Sequence, residues 1–257
     1  MSDVIAEMAK ALTKGSVRIV DLTHTLDPDF PVIILPPEFG QCARFRMEEV
    51  SAYDHRGPAW KWHNLTLNEH TGTHFDAPSH WVSGKDVPNG DVDEIAPEVF
   101  VGPVVVIDCS AGSAQDDDFE LTPEIIKNWE AEHGEIPKDA WVLMRSDWSK
   151  RRGKDYLNMA EDGPHSPGPT PAAIELLLQR DIRGFGTETV GTDAGQGMHY
   201  VPPYPAHYLL HGAGKFGLQC LCNLDQLPPT GAMLIAPPLK IKGGTGSPLR
   251  VLAMVNT

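Results

Sequence analysis

Val4, Ile5, Met8 and Leu12 recur three to four residues apart and are followed by Gly15, which predicts a short amphipathic helix over the first fifteen residues. The pattern then changes period. "VRIVDL" (17–22) reads as a strand, and "WKWHNLTLN" (60–68) alternates, with Trp60 and Trp62 on one face and His63, Leu65 and Leu67 on the other. "PVVVIDC" (103–109) is a continuous apolar run, the mark of a strand covered on both faces. "TPEIIKNWEAEHG" (122–134) has an N-cap Thr, a Pro at the first helical position and a closing Gly, so it predicts a helix. "AWVLMRS" (140–146) is a strand again. A long irregular stretch follows, 147–170, with "KRRGKD" and "GPHSPGPTP"; loops of that length are often functional. "TPAAIELLLQRD" (170–181) repeats the Thr-Pro helix start, "IRGFGTE" (182–188) is a strand, and "AHYLLHGAG" (206–214) is a short helix closed by glycines. "AMLIAPPLKI" (232–241) and "PLRVLAMVN" (248–256) close the chain as strands. Helices alternate with strands, and strands predominate near both ends. The expectation is one α/β domain over 1–257, a mixed and barrel-like sheet with helices outside it.

Composition narrows the partners. The chain has 257 residues, enough to bury a large core without staples, with 41% hydrophobic and 22% charged residues. Its net charge of −14 argues against nucleic-acid and anionic-membrane partners, which need clustered Lys and Arg. Cys42, Cys109, Cys220 and Cys222 form no CxxC pair and predict reduced thiols. There is no apolar signal-peptide core near the start and no apolar run of 18 residues, so a cytoplasmic protein is expected.

The stretch "NEHTGTHFDAPSHW" (68–81) carries the chemistry. His70, His74 and Asp76 supply two imidazoles and a carboxylate. Zn²⁺ and Mn²⁺ are both held by such converging nitrogen and oxygen donors. The intervening "TGT" is a poor helix former, so an extended, bent segment is expected. Gly72 lets the backbone turn close to an ion, and extension puts His74 and Asp76 on one side. Pro78 stiffens the exit. His80 is then left over to act as a general base beside a three-ligand, open site.

The same residues, "HTGTHFDAPSH", match the HxGTHxDxPxH signature of the cyclase family of metal-dependent amidohydrolases, which includes bacterial kynurenine formamidases and isatin hydrolases. The chain resembles that family over nearly its whole length, and most of all its isatin hydrolase branch, through "LPPEF", "GPHSPGPTP", "GTDAGQ", "PPYPAHYLLH", "NLDQLP" and "GTGSPLR". The resemblance implies a swivelling β/β/α fold with a mostly antiparallel barrel-like sheet, a homodimer, and metal-dependent hydrolysis of an amide. It implies His70, His74 and Asp76 as ligands and His80 as the catalytic histidine. Dinuclear formamidases of the family add a histidine in a "PAH" segment and a glutamate twelve residues on. Here the histidine is His207, but the second position is Gln219, a poor ligand beside two dications. One divalent ion is therefore expected, with the isatin-hydrolase likeness favouring Mn²⁺ over Zn²⁺. His207 and Gln219 are left to meet substrate, His207 also as a proton donor.

Trp60 and Trp62 are candidate walls for a flat bicyclic substrate; packing in a core or a dimer interface is the plainer alternative. Trp81 is expected to give structural support. Cys220 has no dedicated base and is expected to be a buried or channel-lining residue. His165 lies in the Pro-rich loop, as a lid residue or a loop-fixing one. His24, His55, His63, His133, His199 and His211 are assigned surface, capping or packing roles, and Asp108 and Asp193 turn-fixing ones. The expected reaction is opening of the lactam ring of isatin, or a similar cyclic amide, to isatinate by water activated at the ion. N-formylkynurenine, a cyclic imide or a lactone would suit the same chemistry. A non-haem iron oxygenase built on His74, Asp76 and His207, or a non-enzymatic metal-binding protein, are readings from other classes. The third local ligand, His70, and the absence of an even-stranded double β-helix pattern weigh against the oxygenase; the open position and spare histidine weigh against the passive binder.

Overall fold

Thr122 and Thr170 start helices as their Thr-Pro pairs imply: their hydroxyls accept from the first-turn amides of Ile125 at 3.5 Å and Ala173 at 3.2 Å. The structure, a computed structural model, describes residues 3–257, so the first two residues of the expected N-terminal helix lie outside the described residues. Helix α1 (Val4–Lys14), closed by Gly15 at φ 75°, leads to β1 (Val17–Asp21). Strands β2 (Arg46–Asp54) and β3 (Gly57–Thr66) form a hairpin. Next come β4 (His74–Asp76), β5 (Val101–Asp108), the one-turn α2 (Ser110–Ser113), β6 (Glu120–Leu121) and α3 (Pro123–His133). They are followed by β7 (Trp141–Arg145), the one-turn α4 (Lys154–Leu157), and the two-residue strands β8 (Met159–Ala160), β9 (Gly163–Pro164) and β10 (Gly168–Pro169). Helix α5 (Pro171–Gln179), β11 (Gly184–Thr187), α6 (Pro205–Gly212), β12 (Phe216–Gln219), β13 (Ala232–Ile235), β14 (Gly246–Pro248) and β15 (Leu252–Asn256) complete the order.

Nine of these strands form one sheet in the order β1-β15-β13-β5-β7-β11-β12-β4-β14. The run β5-β7-β11-β12 is parallel, while the five other adjacent pairs are antiparallel. The mixed, mostly antiparallel expectation therefore holds. Strand β5 shows why its sequence is apolar throughout. Val105 and Ile107 face α3, α5 and α6, among Ile126, Trp129, Ile174, Leu177 and Leu210. Val104 and Val106 face the opposite core, with Trp141, Leu143 and Phe75. That second core also contains Val20 and Val255 from one end of the sheet and Leu218 from near the other. Residues so far apart in strand order meet only because the sheet curls into a half-barrel, and the isolated bridge between Thr23 and Leu221 ties the curl.

Several strands escape a reading by periodicity, β12 and β2 among them. "FGLQ" (β12) is four residues long, and β2 is mostly polar. The hairpin β2–β3 stands as its own two-stranded sheet, with nearly all of β3 exposed, including Trp60 and Trp62. The "AMLIAPPLKI" run is strand only over β13, because its prolines end the ladder.

The irregular stretch after β7 is held by side chains rather than ladders. His165 lies between Asp118, 2.6 Å from Nδ1, and Asp162, 3.0 Å from Nε2. This is the loop-fixing alternative for His165. The hydrogen bond to Asp118, then that to Asp162, raises its pKa to about 9. Because the folded value lies above the ordinary 6.5, the tether is complete below about pH 6.5 and is lost as pH rises through about 9. A histidine NMR titration is expected to find the His165 ring titrating well above 6.5, and Asp118→Asn to lower that midpoint; an unshifted midpoint in the parent protein contradicts the tether.

Candidate active site

A segment too short to be a helix builds the site. Gly72 takes φ 66°, a left-handed conformation that favours glycine, and turns the chain into β4. Extension over β4 sends His74 and Asp76 to one face and Phe75 to the other. Phe75, fully buried, packs on Phe100, Trp141 and Phe216 and anchors the strand from behind; burial of such a ring contributes about 1.5–3 kcal/mol. After Ala77 the chain enters a 3₁₀ turn, Pro78–His80, which returns His80 to the same pocket: its ring centroid lies 3.9 Å from that of His70.

Three donors converge. His70 Nδ1 lies 2.8 Å, and His74 Nε2 3.4 Å, from Asp76 Oδ1. His74 Nδ1–H donates to the Gly72 carbonyl at 2.7 Å, so its Nε2 lone pair is the one presented to Asp76. Ligand atoms of His70, His74 and Asp76 all fall within 4.8 Å of one another, as a shared cation requires. Asp76 is completely buried. Burial pushes its pKa up, but the nearby His74, His70 and His80 imidazoles outweigh burial and hold it well below the usual carboxylate range. A buried anion faced by imidazole lone pairs suits a divalent cation of borderline softness.

The neighbouring strands leave the room. Both cross-strand partners of Asp76 are glycines, Gly217 on β12 and Gly246 on β14. A Cβ on Gly217 would stand 3.0 Å from Asp76 Oδ2, and one on Gly246 2.5 Å from His70 Cε1. One step along β12, Gln219 pairs with His74, and its amide nitrogen donates to Asp76 Oδ2. That amide also faces His207 Nε2 at 3.3 Å. His207 Nδ1–H in turn donates to Asp193 Oδ2 at 2.5 Å, and Asp193 caps the first turn of α6 by accepting from the amides of Ala206 and His207. For His207, burial lowers the pKa, but the hydrogen bond and charge of Asp193 raise it above the ordinary value. His80 is opposite: burial lowers it to about 3, with Asp76 opposing. Two imidazoles 5.7 Å apart are thus biased toward different protonation states.

Sequence reasoning and structure differ in four places. Trp60 and Trp62 pair with each other at 6.4 Å and make no aromatic contact with the histidines of their own chain among the described residues. The chain turns between β3 and β4, so the strand parity that put His70 beside them does not carry through. The aromatic ring that lies against the histidine cluster is Trp81, 4.7 Å from the His207 ring and 5.8 Å from Tyr204. Asp193 does more than fix a turn. His211, one helical turn beyond His207, is fully buried within the cluster, its ring 5.7 Å from that of His207; the i, i+4 spacing in "HYLLH" was the signal for it. Cys220 is buried, and burial pushes its thiol up to about 12, as a non-nucleophilic role requires.

Residues 20–194 match the family described as "Putative cyclase". The chain belongs to the cyclase family. An isatin hydrolase of Roseibium aggregatum is 51% identical over 254 residues, spanning 98% of this chain and 97% of that one. A solved isatin hydrolase A from Labrenzia aggregata, bound to benzyl benzoate, is 80% identical with a TM-score of 0.98, covering 99% of this chain and 100% of that chain. An isatin hydrolase bound to the product analogue thioisatinate is 50% identical with a TM-score of 0.98, covering 100% of both chains. In this cyclase-family chain the glycine at 246 is a steric requirement. Gly246→Ala is expected to weaken divalent-ion binding in calorimetry, because the added methyl would stand 2.5 Å from His70 Cε1 and 2.6 Å from the Phe75 carbonyl oxygen, so His70 and β4 must shift; unchanged ion affinity contradicts the steric account.

Proposed function

We propose that the protein is a metal-dependent amidohydrolase that opens the lactam ring of isatin to isatinate. The observation that carries this reading is the buried convergence of His70, His74 and Asp76 beside two further histidines, in a chain alike from end to end to isatin hydrolases. His70 Nδ1, His74 Nε2 and Asp76 Oδ1 would hold one divalent ion, with Mn²⁺ favoured by the likeness and Zn²⁺ compatible with the donors. When bound, such an ion polarises a carbonyl and lowers the pKa of a water toward about 7.

The chain's own residues do the rest. His80, kept neutral by burial, takes a proton from water as the water oxygen adds to the lactam carbon. The C–N bond then breaks, and protonated His80 or His207 delivers that proton to the leaving nitrogen. The products are the aryl amine and the carboxylate, with one proton released to solvent. Asp193 orients His207 through Nδ1, which leaves Nε2 for the reacting side. With Nε2 unprotonated, the Gln219 amide N–H serves it; when Nε2 gains a proton, the amide turns its oxygen to accept. Trp81 offers a face against which a flat bicyclic substrate stacks. Gln219 in place of a carboxylate disfavours a second ion at His207 and supports a mononuclear centre.

The test is direct. Chelator-stripped protein is expected to lose isatin ring opening and to regain it with Mn²⁺. N-formylkynurenine is expected to be the poorer substrate. His80→Ala is expected to lower kcat by about 10²–10⁴-fold with the fold intact. Near-normal turnover by His80→Ala overturns the base assignment, and metal-independent turnover overturns the mechanism.

The working form is a cytoplasmic homodimer. Four free cysteines suit a reducing compartment. The isolated hairpin β2–β3 supports the dimer: two-stranded hairpins are marginal alone, and this one exposes Met47, Trp60, Trp62 and Leu65. Light scattering is expected to show a dimer for the parent protein and a shift toward monomer for the double variant Trp60→Ser, Trp62→Ser. A monomeric parent contradicts the assignment.

A further inference from the structure

We propose that Glu69 and Thr245 are positioning residues that fix His70 in a single tautomer, with Nε2 protonated and the Nδ1 lone pair kept for the cation. The argument follows proton ownership along one chain of hydrogen bonds. Thr245 Oγ1 lies 2.8 Å from Glu69 Oε2. A carboxylate only accepts, so the single hydroxyl proton of Thr245 goes to Glu69. His70 Nε2 lies 3.1 Å from the same Oγ1. With its own proton spent, that oxygen accepts, and the proton between them belongs to Nε2. A neutral imidazole has one N–H, so Nδ1 faces Asp76 Oδ1 at 2.8 Å as a bare lone pair. Two acceptors that close repel unless a cation lies between them.

The contrast with His74 sharpens the point. There the Gly72 carbonyl takes the Nδ1 proton and leaves Nε2 for the ion, so the two histidines present opposite nitrogens. A carbonyl can only accept and sets its tautomer by itself. A threonine hydroxyl can donate or accept, and it needs Glu69 to settle which. The segment that delivers Thr245 is fixed to β4: the Ala77 amide donates to the Thr245 carbonyl at 2.9 Å, and the Thr245 amide donates to Glu69 Oε2 at 3.3 Å. Glycines flank it. A Cβ on Gly244 would come within 3.2 Å of Glu69 Oε1, and one on Gly246 within 2.5 Å of His70 Cε1. The "GTG" of 244–246 is thus a hydroxyl between two cleared spaces, shaped to reach the outer nitrogen of His70.

This inference rests on the reading that His70, His74 and Asp76 hold a divalent ion, and the test separates the two. Ion affinity is measured by competition with a chromophoric chelator for the parent protein, Asp76→Ala, Thr245→Val, Thr245→Ser and Glu69→Ala. The tautomers are read by ¹⁵N-histidine NMR of the Zn²⁺-loaded protein. Thr245→Val is expected to weaken binding by about 10–100-fold, the usual effect of losing such an outer hydrogen bond. Thr245→Ser is expected to restore it. Glu69→Ala, at a side chain about a third exposed, is expected to weaken binding in the same direction. His70 is expected to carry its proton on Nε2 in the parent protein. A parent protein that binds no ion overturns both readings. If the parent binds, Asp76→Ala does not, and Thr245→Val and Glu69→Ala match the parent, the relay alone is overturned. A His70 proton found on Nδ1 overturns it as well.

Discussion

The structure depends on keeping one carboxylate, Asp76, ionised at zero exposure. Removing a carboxylate from water costs several kcal/mol unless opposite charge and hydrogen bonds offset it. The surroundings of Asp76 are arranged to do so. Oδ2 accepts from the Gln219 amide, and Oδ1 faces His70 Nδ1 and His74 Nε2, where the cation that the site is proposed to hold would supply the opposite charge. Its cross-strand neighbours are glycines, which keep side chains off the face where those partners gather. Strand β4 belongs next to the sheet's end for the same reason, because β12 and β14 bring one glycine each and β12 brings Gln219.

From that constraint the rest of the site follows outward. His74 is held by its own chain through Gly72, His70 by the distant "GTG" segment, and His207 by Asp193 at the start of α6. The residues around the buried anion come from β4, the turn after it, α6, β12 and the loop before β14. The sheet's curl is what lets these elements close on one point. The parallel block β5-β7-β11-β12 gives the rigid floor, and α3, α5 and α6 cover its far face.

The local parts of this arrangement were legible in the sequence. "HTGTHFDAPSH" put its donors within eleven residues, and its glycine and proline announced a bent, extended segment. The Thr-Pro helix starts and the apolar run of β5 were equally readable, since each rests on contacts made within a few residues or on burial of both strand faces. What escaped depended on distant partners. Asp193 looks like any turn aspartate until α6 is laid beside it, and Trp81 like a packing residue until His207 faces it. Thr245 has no local pattern; its meaning comes from Glu69 and His70, more than 170 residues away. Trp60 and Trp62 failed differently. Their shared face was read correctly, but the turn between β3 and β4 breaks the parity that would have carried them to the histidines.

The most direct test is anomalous scattering from crystals of active protein grown with Mn²⁺. One strong peak is predicted among His70 Nδ1, His74 Nε2 and Asp76 Oδ1, within coordination distance of all three. A protein that opens isatin in the same preparation while showing no peak there, or a peak held instead by His207 and His211, would contradict the account.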